Sequence, residues 1–237
     1  MIWDSQKIKE FNLQFEGKDV GEILRFVKQR FKRIGMLTAF GYSGIALIDF
    51  IREIMPEVEI FFIDTRKHFL ETLEIRDFYR DEIGLNIITI QSRLSEDEIE
   101  IIYGTNLHEK DPDLCCKIRK VDPLLEVLPQ KDVWISALRR GQSPTRQKLN
   151  ILEKDGRNML KIYPLITWNG EQTWRYIKTR NLKYNPLHDK NYPSIGCYCC
   201  TTQVREGKDE RSGRWTTIPK LECGIHKHNR ESATKEH

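Results

Sequence analysis

Apolar residues along the chain alternate between two spacings, and each change of spacing marks a predicted element. Apolar side chains recur every four positions after Asp19, a favourable helix N-cap, which predicts a helix over 19–31. The next apolar run, 36–40, is short and continuous, and glycines within 41–44 separate it from a second helical pattern over 45–55. A strand, a glycine turn and a helix in that order predict the start of a βαβ unit.

The same alternation of short apolar runs and helical segments continues along the chain. Continuous apolar runs are typical of strands buried on both faces, as in parallel sheets covered by helices. The pattern therefore predicts an α/β fold with a doubly wound, mainly parallel sheet, whose ligands bind beyond the carboxyl ends of the strands. Further strands are predicted at 58–63, 86–90, 133–137 and 160–163, and further helices at 69–78 and 172–178.

Composition and charge narrow the classes of function. The 237 residues are 39% hydrophobic, enough for one substantial core. The 39 basic and 35 acidic residues are mixed along the chain, which fits a small anionic ligand better than a nucleic acid. The N-terminal residues lack the basic and apolar regions of a signal peptide, and no apolar run approaches the roughly 18 residues of a membrane span. We therefore expect a cytoplasmic protein with neither membrane nor nucleic acid as a partner.

Six cysteines are too few for a disulfide scaffold in a chain of this length. Cys115 and Cys116 are adjacent, and Cys197 and Cys200 form a CxxC pair, so four thiolates can converge on zinc or on an iron-sulfur cluster. Adjacent cysteines are awkward ligands for one tetrahedral ion, which favours a 4Fe-4S cluster; ordinary buried thiols are the alternative. Cys199 could replace Cys200 in the pair, but the two-residue spacing favours Cys199 as a spare thiol.

The remaining cysteine and several basic residues form a second candidate site. Cys223 lies in a polar segment containing glycine, where an exposed thiol is a candidate nucleophile and an incidental surface cysteine is the alternative. The segment 138–146 carries three arginines after a predicted strand, 211–214 carries two more, and Lys120 follows the cysteine pair. Arginine forks bind phosphate and sulfate bidentately, so we expect an anion site, with solvated surface charge as the alternative.

These motifs, in this order, resemble those of the assimilatory sulfonucleotide reductases, specifically the adenylyl-sulfate reductases that carry an iron-sulfur cluster. The similarity runs from about Met36 to His226, and the chain departs from the usual family pattern at Ala39, 42–44, Arg66 and Cys199. The matching stretches are 113–121, 138–146, 184–189, 192–197, 211–215 and 222–226.

The resemblance implies an architecture and a domain organisation. The fold would be of the adenine-nucleotide alpha-hydrolase or ATP-pyrophosphatase type, with a five-stranded sheet and a C-terminal flap. The segment 1–34 would be an N-terminal helical segment, 35–200 the nucleotide- and cluster-binding α/β domain, and 201–237 the C-terminal segment that carries the catalytic cysteine.

The resemblance also implies the roles of individual residues. One 4Fe-4S cluster would be bound by Cys115, Cys116, Cys197 and Cys200, and Cys223 would be the catalytic nucleophile. The implied substrate-binding residues are Lys120, Arg146, Arg211, Arg214, Phe40, Gly41, Asp64, Thr65, Arg139, Arg140 and His226.

The activity implied by the resemblance is thiol-dependent reduction of adenylyl sulfate to sulfite and AMP in assimilatory sulfate reduction, through an S-sulfocysteine intermediate on Cys223. Thioredoxin or a similar dithiol protein would supply the electrons, and a homo-oligomer is conceivable by resemblance. The nearest alternative is a reductase of the 3′-phosphorylated nucleotide or of both nucleotides. An ATP-pyrophosphatase-type ligase or transferase conflicts with the motif around Cys223, and a zinc- or cluster-binding interaction module is the non-enzymatic alternative.

Overall fold

A computed structural model describes residues 3–205, 208–216, 218 and 220–225 of the chain. One six-stranded sheet runs through the molecule in the order β3-β2-β1-β4-β6-β5. Neighbouring strands pair in parallel except β5 with β6, so the prediction of a mainly parallel α/β fold is confirmed. The strands are β1 (Ile34–Thr38), β2 (Glu59–Ile63), β3 (Ile87–Ile90), β4 (Val133–Ser136), β5 (Leu152–Lys154) and β6 (Leu160–Ile162).

The implied number of five strands is wrong, because β5 adds a sixth strand at one edge of the sheet. Only three residues long, β5 is too short to carry a recognisable period. Its position depends on a distant residue: the Asn12 side chain donates a hydrogen bond to Leu152 O at 2.9 Å and accepts one from Leu152 N at 2.8 Å. This antiparallel strand is therefore stabilised by a contact that no local pattern could indicate.

Helices cover both faces of the sheet. The side chains of β2 alternate: Ile60 and Phe62 pack in the larger apolar core, whereas Phe61 and Ile63 pack in a smaller cluster with Leu124. Among the described helices, none has the length and apolar composition needed to cross a membrane. The helices are α1 (Ser5–Phe15), α2 (Val20–Arg30), α3 (Tyr42–Ile54), α4 (Leu70–Asp77), α5 (Glu96–Tyr103), α6 (Leu107–Lys110), α7 (Pro112–Cys116), α8 (Asp122–Val127) and α9 (Gly170–Thr179).

Helix α2 begins where the sequence predicts. The Asp19 side chain accepts a hydrogen bond from Glu22 N at 2.9 Å, and the Glu22 side chain accepts one from Asp19 N at 3.3 Å. This capping box satisfies two backbone N–H groups at the helix end. Ile23 and Val27 of the predicted stripe are buried in the same core as the sheet, so the helix covers the sheet as expected.

The strand order reverses direction between β1 and β4, which opens a crevice at the carboxyl ends of both strands. The chain leaves β1 through a tight turn, in which Thr38 Oγ1 accepts a hydrogen bond from Phe40 N at 3.0 Å and Phe40 has a φ of 53°. A Cβ on Gly44 would lie 2.5 Å from Thr38 Oγ1, so glycine permits α3 to approach the end of β1 this closely. The N-terminus of α3 thus lies at the crevice.

Candidate active site

A cleft with about 220 Å³ of internal space occupies this crevice. Thr38 and Ser136 of the two central strands line one side, and the segment that carries Cys223 lines another. The predicted site residues that line the cleft are Gly41, Thr65, Lys120, Arg146, Cys197, Arg211, Arg214 and Cys223. The fold therefore brings predicted site residues that lie up to 182 positions apart in sequence, Gly41 and Cys223, to one cavity.

Four further predicted substrate-binding residues do not line this cleft: Phe40, Asp64, Arg139 and Arg140. Phe40 is fully buried in the apolar core. Arg140 forms an ion pair with Glu16 beside α1. Asp64 accepts hydrogen bonds from the loops that follow β2 and β3. His226 lies outside the described residues, and the roles of all five residues stay predictions.

Arg139 is fully buried and holds the wall of the cleft together. Its guanidinium donates hydrogen bonds to Ser43 Oγ at 2.9 Å and to the Tyr42 hydroxyl. It also pairs with both carboxylate oxygens of Glu210, at 2.9 and 2.7 Å. Burial raises the pKa of Tyr42, so its hydroxyl stays neutral. Arg139 therefore connects the N-terminus of α3 to the segment that contains Glu210.

His188, from the motif 184–189, binds the first turn of α3. Its Nε2 accepts a hydrogen bond from Tyr42 N at 3.2 Å, and its Nδ1 lies 2.8 Å from Tyr192 O. Burial lowers the pKa of His188 to about 4, which keeps the ring neutral and Nε2 free to accept. The motif thus positions the α3 terminus, one of the places where anions bind in such folds.

Lys120 is a cation that lines both the cleft and the cavity of the cysteines. It belongs to a turn of π-helix, Lys117–Val121, whose extra residue rotates the next helical turn relative to a regular α-helix. Burial alone would lower the pKa of the Lys120 ammonium, but the nearby sulfurs of Cys197, Cys223 and Cys116 more than reverse this and raise it. Lys120 is therefore positively charged beside the candidate nucleophile.

Arg214 lies across the backbone of Gly196. A Cβ at Gly196 would overlap the Arg214 guanidinium, which explains the glycine of this motif. The guanidinium also stacks 4.7 Å from the centre of the Trp215 ring, and its Nε donates to Cys200 O at 3.3 Å. These contacts hold Arg214 beside Cys197 in the cleft wall.

Glu222 is a cleft residue that the sequence did not indicate as functional. Its Oε1 accepts hydrogen bonds from Arg146 Nε at 2.9 Å and Thr145 Oγ1 at 3.0 Å. Its Oε2 accepts from Arg146 Nη2 at 2.9 Å and Arg211 Nη2 at 3.3 Å. Burial acts to raise the pKa of Glu222, but the two arginines outweigh it and lower the pKa, so the carboxylate is charged. In the sequence, its position directly before Cys223 is the one feature that could have pointed to this residue.

His68 and Trp215 also line the cleft and were not indicated by the sequence. His68 Nε2 lies 2.9 Å from Ile63 O, and burial lowers the pKa of the ring. Among the described residues, neither His68 Nδ1 nor Trp215 Nε1 has a hydrogen-bond partner. Both are single residues in loops, where no periodic pattern marks a buried position.

A much smaller cavity, with about 10 Å³ of internal space, lies beside the cleft and is lined by the predicted cluster cysteines. Cys197 lines both cavities. Within the described residues, no three Cys, His, Asp or Glu side chains meet closely enough to ligate one metal ion. The described wall comprises Cys115, Cys116, Cys197, Cys199, Cys200, Lys67, His108, Pro112, Arg119 and Lys120.

Cys199 and Cys200 differ in their electrostatic environments. Their sulfurs lie 3.8 Å apart, and a hydrogen bond from Cys199 lowers the pKa of Cys200 to about 6. Burial raises the pKa of Cys116 to about 11, although Lys120 partly opposes the shift. A set of sulfur ligands in a cationic, partly buried wall fits soft metals and iron-sulfur clusters chemically.

Comparison with known proteins gives consistent matches. The sequence profile of the family described as "Phosphoadenosine phosphosulfate reductase domain" matches residues 33–203. A protein of Halalkalibacterium halodurans named adenosine 5′-phosphosulfate reductase is 41% identical over 222 residues, which cover 92% of this chain and 96% of the relative. A protein of the same name from Staphylococcus epidermidis is 42% identical over 222 residues, covering 92% and 91%. The resemblance inferred from the motifs is confirmed.

Solved structures give the same result for the fold. The crystal structure of phosphoadenylyl-sulfate (PAPS) reductase from Candida auris, a phosphate complex, matches with a TM-score of 0.77 and 26% identity, covering 86% of this chain and 99% of that one. FMN adenylyltransferase of Candida glabrata matches with a TM-score of 0.59 and 14% identity, covering 88% and 70%, which supports the fold alone. The predicted adenine-nucleotide type of α/β fold is confirmed.

Proposed function

Because the chain belongs to the phosphoadenosine phosphosulfate reductase family, we propose that it is a thiol-dependent oxidoreductase that converts adenylyl sulfate to sulfite and AMP. The observation that carries this proposal is the position of Cys223 in one cleft with Lys120 and Arg214. Relatives named adenosine 5′-phosphosulfate reductase, 41% and 42% identical over most of the chain, support the unphosphorylated nucleotide as the substrate.

In the first step the Cys223 thiolate attacks the sulfate sulfur. An S–S bond forms, the sulfur–oxygen bond to the phosphate breaks, and AMP leaves with the electron pair. Attack of an anion on an anion needs positive charge around the sulfuryl oxygens and the departing phosphate, usually the largest single contribution to catalysis. Lys120, whose raised pKa keeps it charged, and Arg214 supply that charge.

In the second step a dithiol protein such as thioredoxin releases sulfite. One donor thiolate attacks Sγ of Cys223, sulfite leaves, and the second donor thiol resolves the mixed disulfide, so that both electrons come from the donor. Cys223 lies close to the end of the described chain and is partly exposed, which suits access by a second protein. The cytoplasm, as a reducing compartment, suits this chemistry, and homo-oligomerisation stays a prediction.

We propose that Cys115, Cys116, Cys197 and Cys200 hold a 4Fe-4S cluster. Their sulfurs line one cavity whose described wall also contains three basic side chains. When bound, the cluster would order this wall and contribute to the field near Lys120. Cys199, whose pKa is raised chiefly by its hydrogen bond to Cys200, would remain a protonated neighbour.

The test is covalent capture. Wild-type protein incubated with adenylyl sulfate and no reductant should gain one sulfonate group, which peptide mass spectrometry should locate on Cys223. Cys223→Ser should gain none and release no sulfite, whereas Cys199→Ser should still form the adduct. A sulfonate adduct and turnover that both persist in Cys223→Ser would refute the assignment.

The 3′-phosphorylated nucleotide is the second candidate substrate, because the solved relative from Candida auris is a PAPS reductase. Sulfite release from the two nucleotides, measured with anaerobically purified protein and a dithiol donor, separates the two substrates. We expect the larger kcat/KM for adenylyl sulfate. A larger value for the 3′-phosphorylated form would reverse the substrate assignment while leaving the reaction class unchanged.

A further inference from the structure

A lysine lies buried in the middle of strand β6, on the face of the sheet away from the larger core. Leu160 and Ile162 of β6 pack in the larger apolar core, so Lys161 between them points to the other face. Its register partner on β4 is Trp134, a member of the smaller apolar cluster. The Lys161 side chain is only 7% exposed. Burial of an ammonium among apolar side chains is costly unless polar partners bind it, so the partners of Lys161 indicate its role.

Asp155 supplies the counter-charge. Its Oδ2 lies 2.9 Å from Lys161 Nζ, and its side chain is 1% exposed. Its Oδ1 accepts hydrogen bonds from Arg157 N at 2.9 Å and Met159 N at 3.1 Å, which fixes the carboxylate in the loop between β5 and β6. Burial acts to raise the pKa of Asp155, but Lys161 and these hydrogen bonds outweigh it and lower the pKa. The carboxylate is therefore charged and holds the Lys161 side chain in one place.

Lys161 also binds the end of the segment 220–225, which carries the candidate nucleophile. Its Nζ donates a buried hydrogen bond to Ile225 O at 3.3 Å. Ile225 follows Cys223 by two residues, so the Cα atoms of the two residues are at most about 7 Å apart. The Ile225 side chain is itself buried in the smaller apolar cluster with Trp134. Ile225 is thus held both by its side chain and by its carbonyl.

Gly224 permits this arrangement. Its φ is 84°, in the left-handed region that glycine adopts without strain. The turn connects Cys223, in the wall of the cleft, to Ile225, which lines both the cleft and a small neighbouring cavity of about 20 Å³. Among the described lining residues of these two spaces, Lys161 belongs to the small cavity alone. Lys161 therefore contacts the segment of the nucleophile from outside the cleft.

We propose that Asp155 and Lys161 form an anchor for the nucleophile. Asp155 fixes the Lys161 side chain, Lys161 binds Ile225 O, and this contact holds the carboxyl end of the segment 220–225 so that Cys223 stays in the wall of the cleft. Lys161 and Asp155 are then positioning residues, because they act through the backbone of Ile225 and do not touch the substrate. This inference rests on the proposed function of Cys223 as nucleophile.

Other contacts hold the same segment and limit the size of the effect. Glu222 forms ion pairs with Arg146 and Arg211 on the other side of Cys223. The side chain of Ile225 keeps its apolar contacts when the anchor is removed. Loss of the anchor should therefore loosen the segment around Cys223 without detaching it.

The first experiment measures the exposure of Cys223 and requires no catalysis. The variant Asp155→Asn with Lys161→Met removes both charges of the anchor together, and asparagine can still accept the backbone hydrogen bonds of the loop. Anaerobically purified protein is alkylated with iodoacetamide over a range of pH, and peptide mass spectrometry follows Cys223. The pH profile gives the rate constant of the thiolate separately from its apparent pKa. We expect this rate constant to rise about tenfold, as loss of one charge-assisted hydrogen bond implies.

The matched control removes a lysine pair at the amino ends of the strands, away from the cleft. Lys131 is 10% exposed and pairs with Glu59 at the start of β2, so Glu59→Gln with Lys131→Met removes a similar pair and should leave the alkylation of Cys223 at the wild-type rate. Asp155→Asn alone leaves β6 unchanged and deprives Lys161 of its counter-charge, so it should raise the rate constant by a smaller factor. This single variant also provides the test if the double variant does not fold. A wild-type rate constant in the folded anchor variants would overturn the anchor, whether or not the protein releases sulfite.

The second experiment separates positioning from substrate binding. In a Cys223→Ser background, the double anchor variant should bind adenylyl sulfate with an unchanged Kd, because the described wall of the cleft contains neither residue of the anchor. In the protein that retains Cys223, the same two changes should slow single-turnover sulfonation at saturating nucleotide about tenfold. A weakened Kd with unchanged sulfonation at saturation would assign the pair to substrate binding and overturn the positioning role. Absence of sulfonation in the wild type would refute the proposed function alone, because the alkylation result does not depend on it.

Discussion

The buried pair between Arg139 and Glu210 gives the most direct test of the distinction between structural and substrate-binding arginines. Arg139 lies after β4, at the ligand-binding edge of the sheet, but its guanidinium is fully buried and hydrogen-bonded within the protein. Replacing Glu210 by glutamine keeps the size of the side chain and removes its charge. The Arg139 cation then stays buried without a counter-charge.

The magnitude follows from the exposure of the two partners. Removing one partner of a fully buried ion pair costs about 3–5 kcal/mol. The Arg139 side chain is 0% exposed and that of Glu210 is 25% exposed, so water screens the pair in part. We therefore expect Glu210→Gln to reduce the free energy of unfolding by about 2–3 kcal/mol, which lowers Tm by roughly 5–10 °C for a chain of this size.

The assay is urea unfolding followed by tryptophan fluorescence, on preparations matched in iron content. The control is Glu16→Gln, which breaks the ion pair to the neighbouring Arg140, where the side chains are 30% and 48% exposed. That change should cost less than about 1 kcal/mol. A Glu210→Gln variant no less stable than Glu16→Gln would refute the structural role assigned to Arg139.

Three further predictions concern other contacts. Gly196→Ala places a methyl group on the Arg214 guanidinium and should raise the Kd for adenylyl sulfate about tenfold by calorimetry, at unchanged fold by circular dichroism; an unchanged Kd would contradict the placement of that arginine. Burial acts to raise the pKa of Asp49, but hydrogen bonds from a tyrosine and two arginines outweigh it and lower the pKa. The ionised Asp49 carboxylate therefore stabilises the folded protein at pH values above the ordinary carboxyl pKa of about 4, and this stabilisation is lost as the pH falls through the pKa of Asp49 in the folded state. Asp49→Asn should therefore cost about 2 kcal/mol of unfolding free energy at pH 7 and progressively less in acid, and a cost independent of pH would contradict this sign. Cys200→Ala should lose iron, as measured by colour and iron analysis, whereas Cys199→Ala should retain it; the reverse result would exchange the two roles.

Much of the fold could be predicted because its strands are continuous apolar runs. Buried strands of a parallel sheet must be apolar on both faces, and β1, β2 and β4 therefore stand out in the sequence. The missed strand, β5, has three residues and depends on hydrogen bonds to Asn12, 140 positions away. No local pattern carries that information.

The candidate site could be predicted in its residue types but not in its partners. The motifs selected Arg139, Arg146, Arg211 and Arg214 as one group of cations. The structure gives them different neighbours: Glu210 for Arg139, Glu222 for Arg146 and Arg211, and the backbone at Gly196 for Arg214. Sequence spacing cannot show which carboxylate meets which guanidinium, since the partners lie 71 to 76 positions apart for Arg139 and Arg146.

The sequence by itself determined the class of fold and the family and predicted the reactive residues, because apolar periodicity, cysteine spacing and ordered motifs are properties of the chain. Only the tertiary structure decided the burial of each charge and its partner. The electrostatic role of an arginine depends on its distance to a carboxylate and on solvent exposure, and both are set by packing. For this reason the ion pairs of Glu222 with Arg146 and Arg211 became visible only in the tertiary structure.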